Sequence, residues 1–336
     1  MRNNSFDLIR HFAALMVLVS HHFALWGQEE PGIAGYNSLG GMAVIAFFAI
    51  SGLLITHSFL NARNFADYLA KRVARIFPAL IACAFVMTFV VGGIFAQGYI
   101  TGPSALIDFL RISLFGRAAI DEITEGFIFS ESFNGSLWTL KIEFAFYILV
   151  AGALSLFRRA MMPAALLMMF CIATYVLGNS TPSALTQKLA VYGCVGIAFF
   201  TGSLGAFCTR VFCSTRRRLT ILAACAGLMV AVAGTPLTGV VSTLCMALAT
   251  LSLGLSYVDH TIRGRFDISY GLYLYAFPVQ QLVINKTSLA FIPSMLVSAL
   301  IVMVLASVSW RWIEKPALQW ARRRNGARVA EVPKAS

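Results

Sequence analysis

Long apolar stretches broken by short polar links set the pattern of this chain. Ten apolar runs recur, near 8–26, 39–59, 78–97, 137–157, 160–177, 188–208, 217–234, 238–257, 268–288 and 290–310. Each is close to the length an α-helix needs to cross a bilayer core of about 30 Å. The pattern predicts an all-α polytopic membrane protein with about ten transmembrane helices. Charge in the links then sets the orientation. With a cytoplasmic N-terminus, the inner links are 57–77, 158–159, 209–218, 258–267 and the segment from Arg311. They carry Arg63, Lys71, Arg72, Arg75, Arg158, Arg159, Arg210, Arg216–Arg218, Arg263, Arg265 and the cluster Arg322–Arg324. The outer links carry only Arg111, Arg117, Lys188 and Lys286, and they hold the acidic stretches Glu29–Glu30 and Asp121–Glu131. Basic residues stay on the cytoplasmic side of bacterial and eukaryotic membranes, so both termini are predicted to be cytoplasmic. Residues 321–336 read as a basic, flexible cytoplasmic tail behind a transmembrane domain of residues 1–320.

Composition agrees with this picture. Of 336 residues, 59% are hydrophobic and 12% charged, with a mean hydropathy of +0.78. Soluble domains carry about 25% charged residues. The net charge of +12 follows the inner links, so it is a topology signal and predicts no nucleic-acid partner. Seven cysteines, at 83, 171, 194, 208, 213, 225 and 245, lack metal-ligand spacing. They read as small core hydrophobes, and no metal is expected. The first run carries Arg10, His21 and His22 and has no clear small-residue cleavage site, so it is not read as a signal peptide. In the long outer link 98–136, Leu106, Ile107, Leu110 and Leu114 fall at helical spacing. They suit either a short amphipathic helix at the outer interface or an ordered loop.

The candidate chemistry begins in the first run. Arg10 and His21 are eleven residues apart, so they share one helix face about 16 Å apart along the axis. An ionisable group at membrane depth faces a protein interior or a wet cavity, and a neutral imidazole suits general-base work. His11 and His22 fall on other faces. Ser51 and Gly52, in "FFAISGLLIT", read as small residues that permit close helix contact. Arg72 and Arg75 share a face at the cytoplasmic mouth of the third span. They suit phosphate recognition, although the positive-inside rule alone explains basic residues there. Glu143 is the one acidic residue within a predicted span. It could orient His21, pair with an arginine, relay a proton, or form a structural ion pair with Lys141.

Taken in order, Arg10-x10-His21, "FFAISGLLIT", "RVARIFP", "SLWTLKIEFAFY", "ISYGLYLYAFPV" and "RWIEKPAL" resemble the acyltransferase-3 family of integral membrane acyltransferases. The resemblance implies O-acylation. An acyl group, usually acetyl, would pass from cytoplasmic acyl-CoA as co-substrate to a hydroxyl of an extracytoplasmic or lipid-linked glycan. It implies Arg10 and His21 as the essential pair, Glu143 as a third catalytic candidate, and Arg72 and Arg75 as donor-binding residues. It further implies the bacterial inner membrane, a glycan or lipid-linked saccharide acceptor, and partners in polysaccharide assembly. Ala276 stands where many relatives have a histidine, and Phe144 where many have a polar residue. The likeness is to stand-alone members without a periplasmic hydrolase-like domain. The rival reading is a proton-coupled secondary transporter or flippase using the same buried Arg, His and Glu. It calls for inverted repeats, and no repeat is evident in the sequence. A scaffold subunit of an export complex is a third reading, with no need for His21.

Overall fold

A computed structural model describes residues 4–33, 35–259, 262 and 266–330. The predicted inner-link residues Arg263 and Arg265 lie outside the described residues. The protein is an all-α polytopic membrane protein, and every predicted apolar run is helical. The helices are α1 (Phe6–Leu25), α2 (Leu39–Leu60), α3 (Phe65–Phe85, continued through a π turn at Val86–Val91 to Phe95), α4 (Pro103–Phe115), α5 (Trp138–Leu156), α6 (Met161–Gly178), α7 (Ala184–Phe207), α8 (Thr215–Val232), α9 (Thr238–Gly254), α10 (Ser269–Lys286), α11 (Phe291–Ser309) and, after a π turn at Trp310–Glu314, α12 (Lys315–Ala330). Seven segments among the described residues are long and apolar enough to cross a membrane, those of α1, α2, α3, α5, α6, α7 and α11. The other three predicted runs, α8, α9 and α10, fall short by that measure. Helix α9 has 17 residues, α8 opens on Arg216–Arg218, and α10 is rich in tyrosine and glutamine.

The largest shift in boundary is in α3. It starts at Phe65, inside the predicted link 57–77, and Pro78 sits within it. Asn64 caps the start, its side chain accepting from the Asp67 N–H. An apolar-run criterion sees only the later, greasy part of such a helix.

Two compact units make up the chain. The first comprises Met1–Ser20, Glu30–Asn61 and Ile142–Asp267. Its centre is the α2–α7 contact, which two glycines allow. A Cβ on Gly52 would lie 1.8 Å from the Phe199 carbonyl oxygen, and one on Gly202 would lie 1.9 Å from that of Ala49. Backbones this close exclude any side chain at either position, as in other small-residue crossings. One turn on, the hydroxyls of Thr56 and Ser203 hydrogen-bond at 2.6 Å. Phe146, Phe170, Phe199 and Phe200 pack ring against ring beside this crossing, with centroids 5.2–5.7 Å apart.

The second unit comprises His21–Glu29, Ala62–Lys141 and Ile268–Ser336. Helix α10 is its buried axis. Tyr270 donates to the Ile76 carbonyl at 3.0 Å, and Tyr273 to that of Ser136 at 2.8 Å. Pro278 lies inside α10. It has no N–H, so the carbonyl four residues back, on Leu274, loses its helical donor. Asn134, itself buried, supplies one: its Nδ2 donates to Leu274 O at 2.9 Å. The substitution Asn134→Ala should therefore cost about 1–3 kcal/mol, the usual penalty for stranding a buried polar group. Thermal unfolding in detergent should read this as a lowered midpoint. Adding Pro278→Ala returns a backbone N–H to position 278 and should recover part of the loss. No recovery would mean that Asn134 acts by some route other than the Leu274 carbonyl.

Candidate active site

Helix α1 is one unbroken helix, so the eleven-residue spacing of Arg10 and His21 holds as the sequence predicts. Near its start, Arg10 Nη1 donates to Asp267 Oδ2 at 3.3 Å. The carboxylate is almost fully buried, and the guanidinium is about one-fifth exposed. An ion pair at low exposure holds the arginine in one orientation while using only part of its five-donor fork. Asp267 lies in a predicted inner link, and nothing in the sequence marked it as Arg10's partner. One turn into the helix, His11 Nδ1 lies 2.7 Å from the Asp7 carbonyl.

At the far end of α1 the two adjacent histidines take different places. His22 is fully buried, and both of its ring nitrogens are engaged. Gln280 Nε2 lies 3.1 Å from Nδ1, while Phe291 O and Ser294 Oγ lie 3.1 and 3.0 Å from Nε2. A carbonyl can only accept, so Nε2 carries the hydrogen, and Nδ1 accepts from the glutamine amide. Ser294 donates its own hydrogen to Phe291 O at 2.8 Å, leaving its oxygen to accept from His22. This knot ties α1 to α10 and α11 and fixes one neutral tautomer. His21 is only partly buried, and its ring stands edge-on to Phe277 at 5.1 Å. Phe277 in turn packs against Phe129 and fills the space beside Gly135, where a Cβ would lie 2.8 Å from the ring.

In the first unit, Glu143 accepts hydrogen bonds from the Ser51 and Tyr147 hydroxyls. Lys141 is exposed. Ser51 thus does more than allow close packing. Tyr147 could have been found from its i+4 spacing to Glu143, but the Ser51 contact joins α2 to α5 and has no local signal. In the second unit, Arg72 and Arg75 lie on α3, as the helical-face argument requires. Arg72 stands over the Tyr68 ring at 6.0 Å, and Arg75 over that of Tyr270 at 5.8 Å. Aromatic faces stabilise a cation while leaving the guanidinium edge to other partners.

A cavity of about 480 Å³ in the first unit is lined by neutral residues, among them Thr174, Asn179, Cys194 and Thr235, and holds none of the candidate residues. Among the described residues no group of His, Cys, Asp or Glu could hold a metal ion.

These positions fall within a single family pattern. The family model described as an acyltransferase domain matches residues 3–312. The chain belongs to the acyltransferase-3 family. It is similar to an O-acetyl transferase of Shigella phage Sf6, 36% identical over 321 residues that cover 94% of this chain and 96% of the relative. It is also similar to Nodulation protein 10 of Rhizobium leguminosarum bv. viciae, at 27% identity over 94% of this chain and 93% of that one. Acyltransferase MdmB of Streptomyces mycarofaciens matches at 27% identity over 42% of this chain and 36% of the relative. No solved structure matches the chain. This acyltransferase-3 member is an O-acyltransferase of the membrane, with Arg10, His21, Arg72, Arg75 and Glu143 all inside the matched region.

Proposed function

We propose that the protein moves an acyl group, acetyl in the first instance, from cytoplasmic acyl-CoA to a hydroxyl of an extracytoplasmic or lipid-linked glycan in a bacterial inner membrane. The observation that carries the catalytic part is the unequal pair His21–His22. His22 has both nitrogens bound in a structural knot, and His21 is the partly exposed imidazole beside it. In this reading His21 takes the proton from the acceptor hydroxyl as its oxygen attacks the thioester carbonyl carbon. The tetrahedral intermediate collapses with loss of the carbon–sulfur bond. The imidazolium then returns its proton to the CoA sulfur, leaving an ester and free CoA thiol. No covalent enzyme intermediate is required.

Arg10 and His21 stand about 16 Å apart along α1. They are the essential pair of this reading, and Arg72 and Arg75 meet the donor's phosphates. Glu143 holds Ser51 and Tyr147 in a hydroxyl-rich cluster, and its role in this reading is to stabilise that arrangement. Partners that assemble the polysaccharide would supply the acceptor.

The deciding experiment uses the purified protein in liposomes with labelled acetyl-CoA and a glycan acceptor. Label should enter the glycan as a hydroxylamine-sensitive ester. Movement of donor or glycan across the membrane without ester formation would favour the transporter reading instead.

A further inference from the structure

Helix α4 is built inside out for a helix in water. Its buried side carries Ala105, Asp108, Ile112 and Ser113. Its open side carries Leu106, Ile107, Leu110, Leu114 and Phe115, which are 46–65% exposed. A surface helix of a soluble protein turns its apolar stripe inward. Here the inward face is pinned by polar contacts. The Tyr99 hydroxyl donates to Asp108 Oδ2 at 3.1 Å, and Arg111 Nη1 donates to Asp108 Oδ1 at 3.3 Å. The helix cannot roll its leucines inward without breaking these bonds and burying the arginine.

The apolar strip does not stop at α4. Phe109 meets the Phe89 ring at 5.6 Å, and Phe89 meets Phe85 at 5.3 Å. Phe85, Val90, Ile94 and Phe95 on α3 are themselves exposed apolar residues of a segment long and apolar enough to span. The open face of α4 is thus a continuation of the exposed apolar surface of α3. At 13 residues, α4 is about 20 Å long, too short to cross the bilayer itself. Pro103 starts it, and Gly116, at φ +60°, ends it. Arg111 and Arg117 are exposed at its later end. Both fall in a link that the charge pattern assigns to the outer side, where basic residues are few.

We propose that α4 is a non-spanning helix embedded in one leaflet of the bilayer, with Leu106, Ile107, Leu110 and Leu114 against lipid acyl chains and Arg111 and Arg117 at the depth of the lipid phosphates. Arg111 keeps one guanidinium nitrogen on Asp108 and turns its exposed remainder to that depth, and Arg117 reaches it along the apolar surface, as long basic side chains do at interfaces. The occupant of this face is lipid, because the strip it extends is that of a spanning helix and its charged rim matches phosphate.

The test is spin-label accessibility in phospholipid nanodiscs. Single labels are placed at Leu106→Cys, Leu110→Cys and Leu114→Cys. In the background, Cys171, Cys194, Cys208 and Cys213 are serine, and the buried Cys83, Cys225 and Cys245 are kept. A label at Glu131→Cys, on an exposed part of the same link, reports water. Oxygen should reach all three α4 labels, and a water-soluble nickel chelate should be excluded from them by at least several-fold relative to the Glu131 position. Size-exclusion profiles confirm that each variant is folded. Nickel access at the α4 labels equal to that at Glu131 would overturn the proposal in favour of a solvated helix. Exclusion of both probes would overturn it in favour of a protein partner, and spin–spin broadening would then identify that partner as a second copy of the chain.

Discussion

His21→Ala should abolish acyl transfer while the protein still folds. General-base catalysis contributes about 10²–10⁴-fold, and an alanine at a partly exposed position of α1 leaves the helix intact. The readout is ester formation from labelled acetyl-CoA, paired with a thermal unfolding curve. His22→Ala should behave in the opposite way. It removes a hydrogen-bond partner of the buried Gln280 and Ser294, while the Phe291 carbonyl keeps the Ser294 hydroxyl. Each stranded polar group costs about 1–3 kcal/mol, so the main loss should be in unfolding temperature. Whatever His22→Ala protein remains folded should keep much of its turnover. Near-normal transfer by His21→Ala would remove the general base from α1. A well-folded but inactive His22→Ala would move the chemistry to the buried histidine.

Replacing both Arg72 and Arg75 with glutamine should weaken acyl-CoA binding by about two to four orders of magnitude, on the scale of two charge-assisted hydrogen bonds at about 1.5–3 kcal/mol each. Their ring contacts to Tyr68 and Tyr270 make lysine an incomplete substitute, because a compact ammonium lacks the planar fork. Binding of acetyl-CoA by titration calorimetry on detergent-solubilised protein separates donor affinity from turnover. Unchanged affinity in the double glutamine variant would leave these arginines as topology signals alone.

The helical, membrane-spanning architecture was legible in the chain because it depends on local quantities. A run of about 20 apolar residues can satisfy its backbone in lipid only as a helix, and ten such runs became ten helices. The shared face of Arg72 and Arg75 and the helical spacing of Leu106, Ile107, Leu110 and Leu114 followed from the 3.6-residue period in the same way. The family, too, could be read from short ordered motifs. What these local rules missed was any contact between positions distant in sequence. Asp267 beside Arg10, Ser51 beside Glu143, and Gln280 and Ser294 around His22 all lie on other elements, more than ninety residues away. Helical geometry separates adjacent residues such as His21 and His22 by about 100° around the axis, but it says nothing of what each then faces. Tertiary packing decided that: Gln280, Ser294 and the Phe291 carbonyl enclose one imidazole, and the ring of the other stands edge-on to Phe277. The same holds for Asn134, whose amide supplies the Leu274 carbonyl with the donor that Pro278 denies it. Sequence by itself determined which segments are helices in a membrane and which residues can carry charge or take up a proton there. Only the folded chain decided which of those groups are bound by neighbours, because side-chain hydrogen bonds between helices are set by packing and not by period.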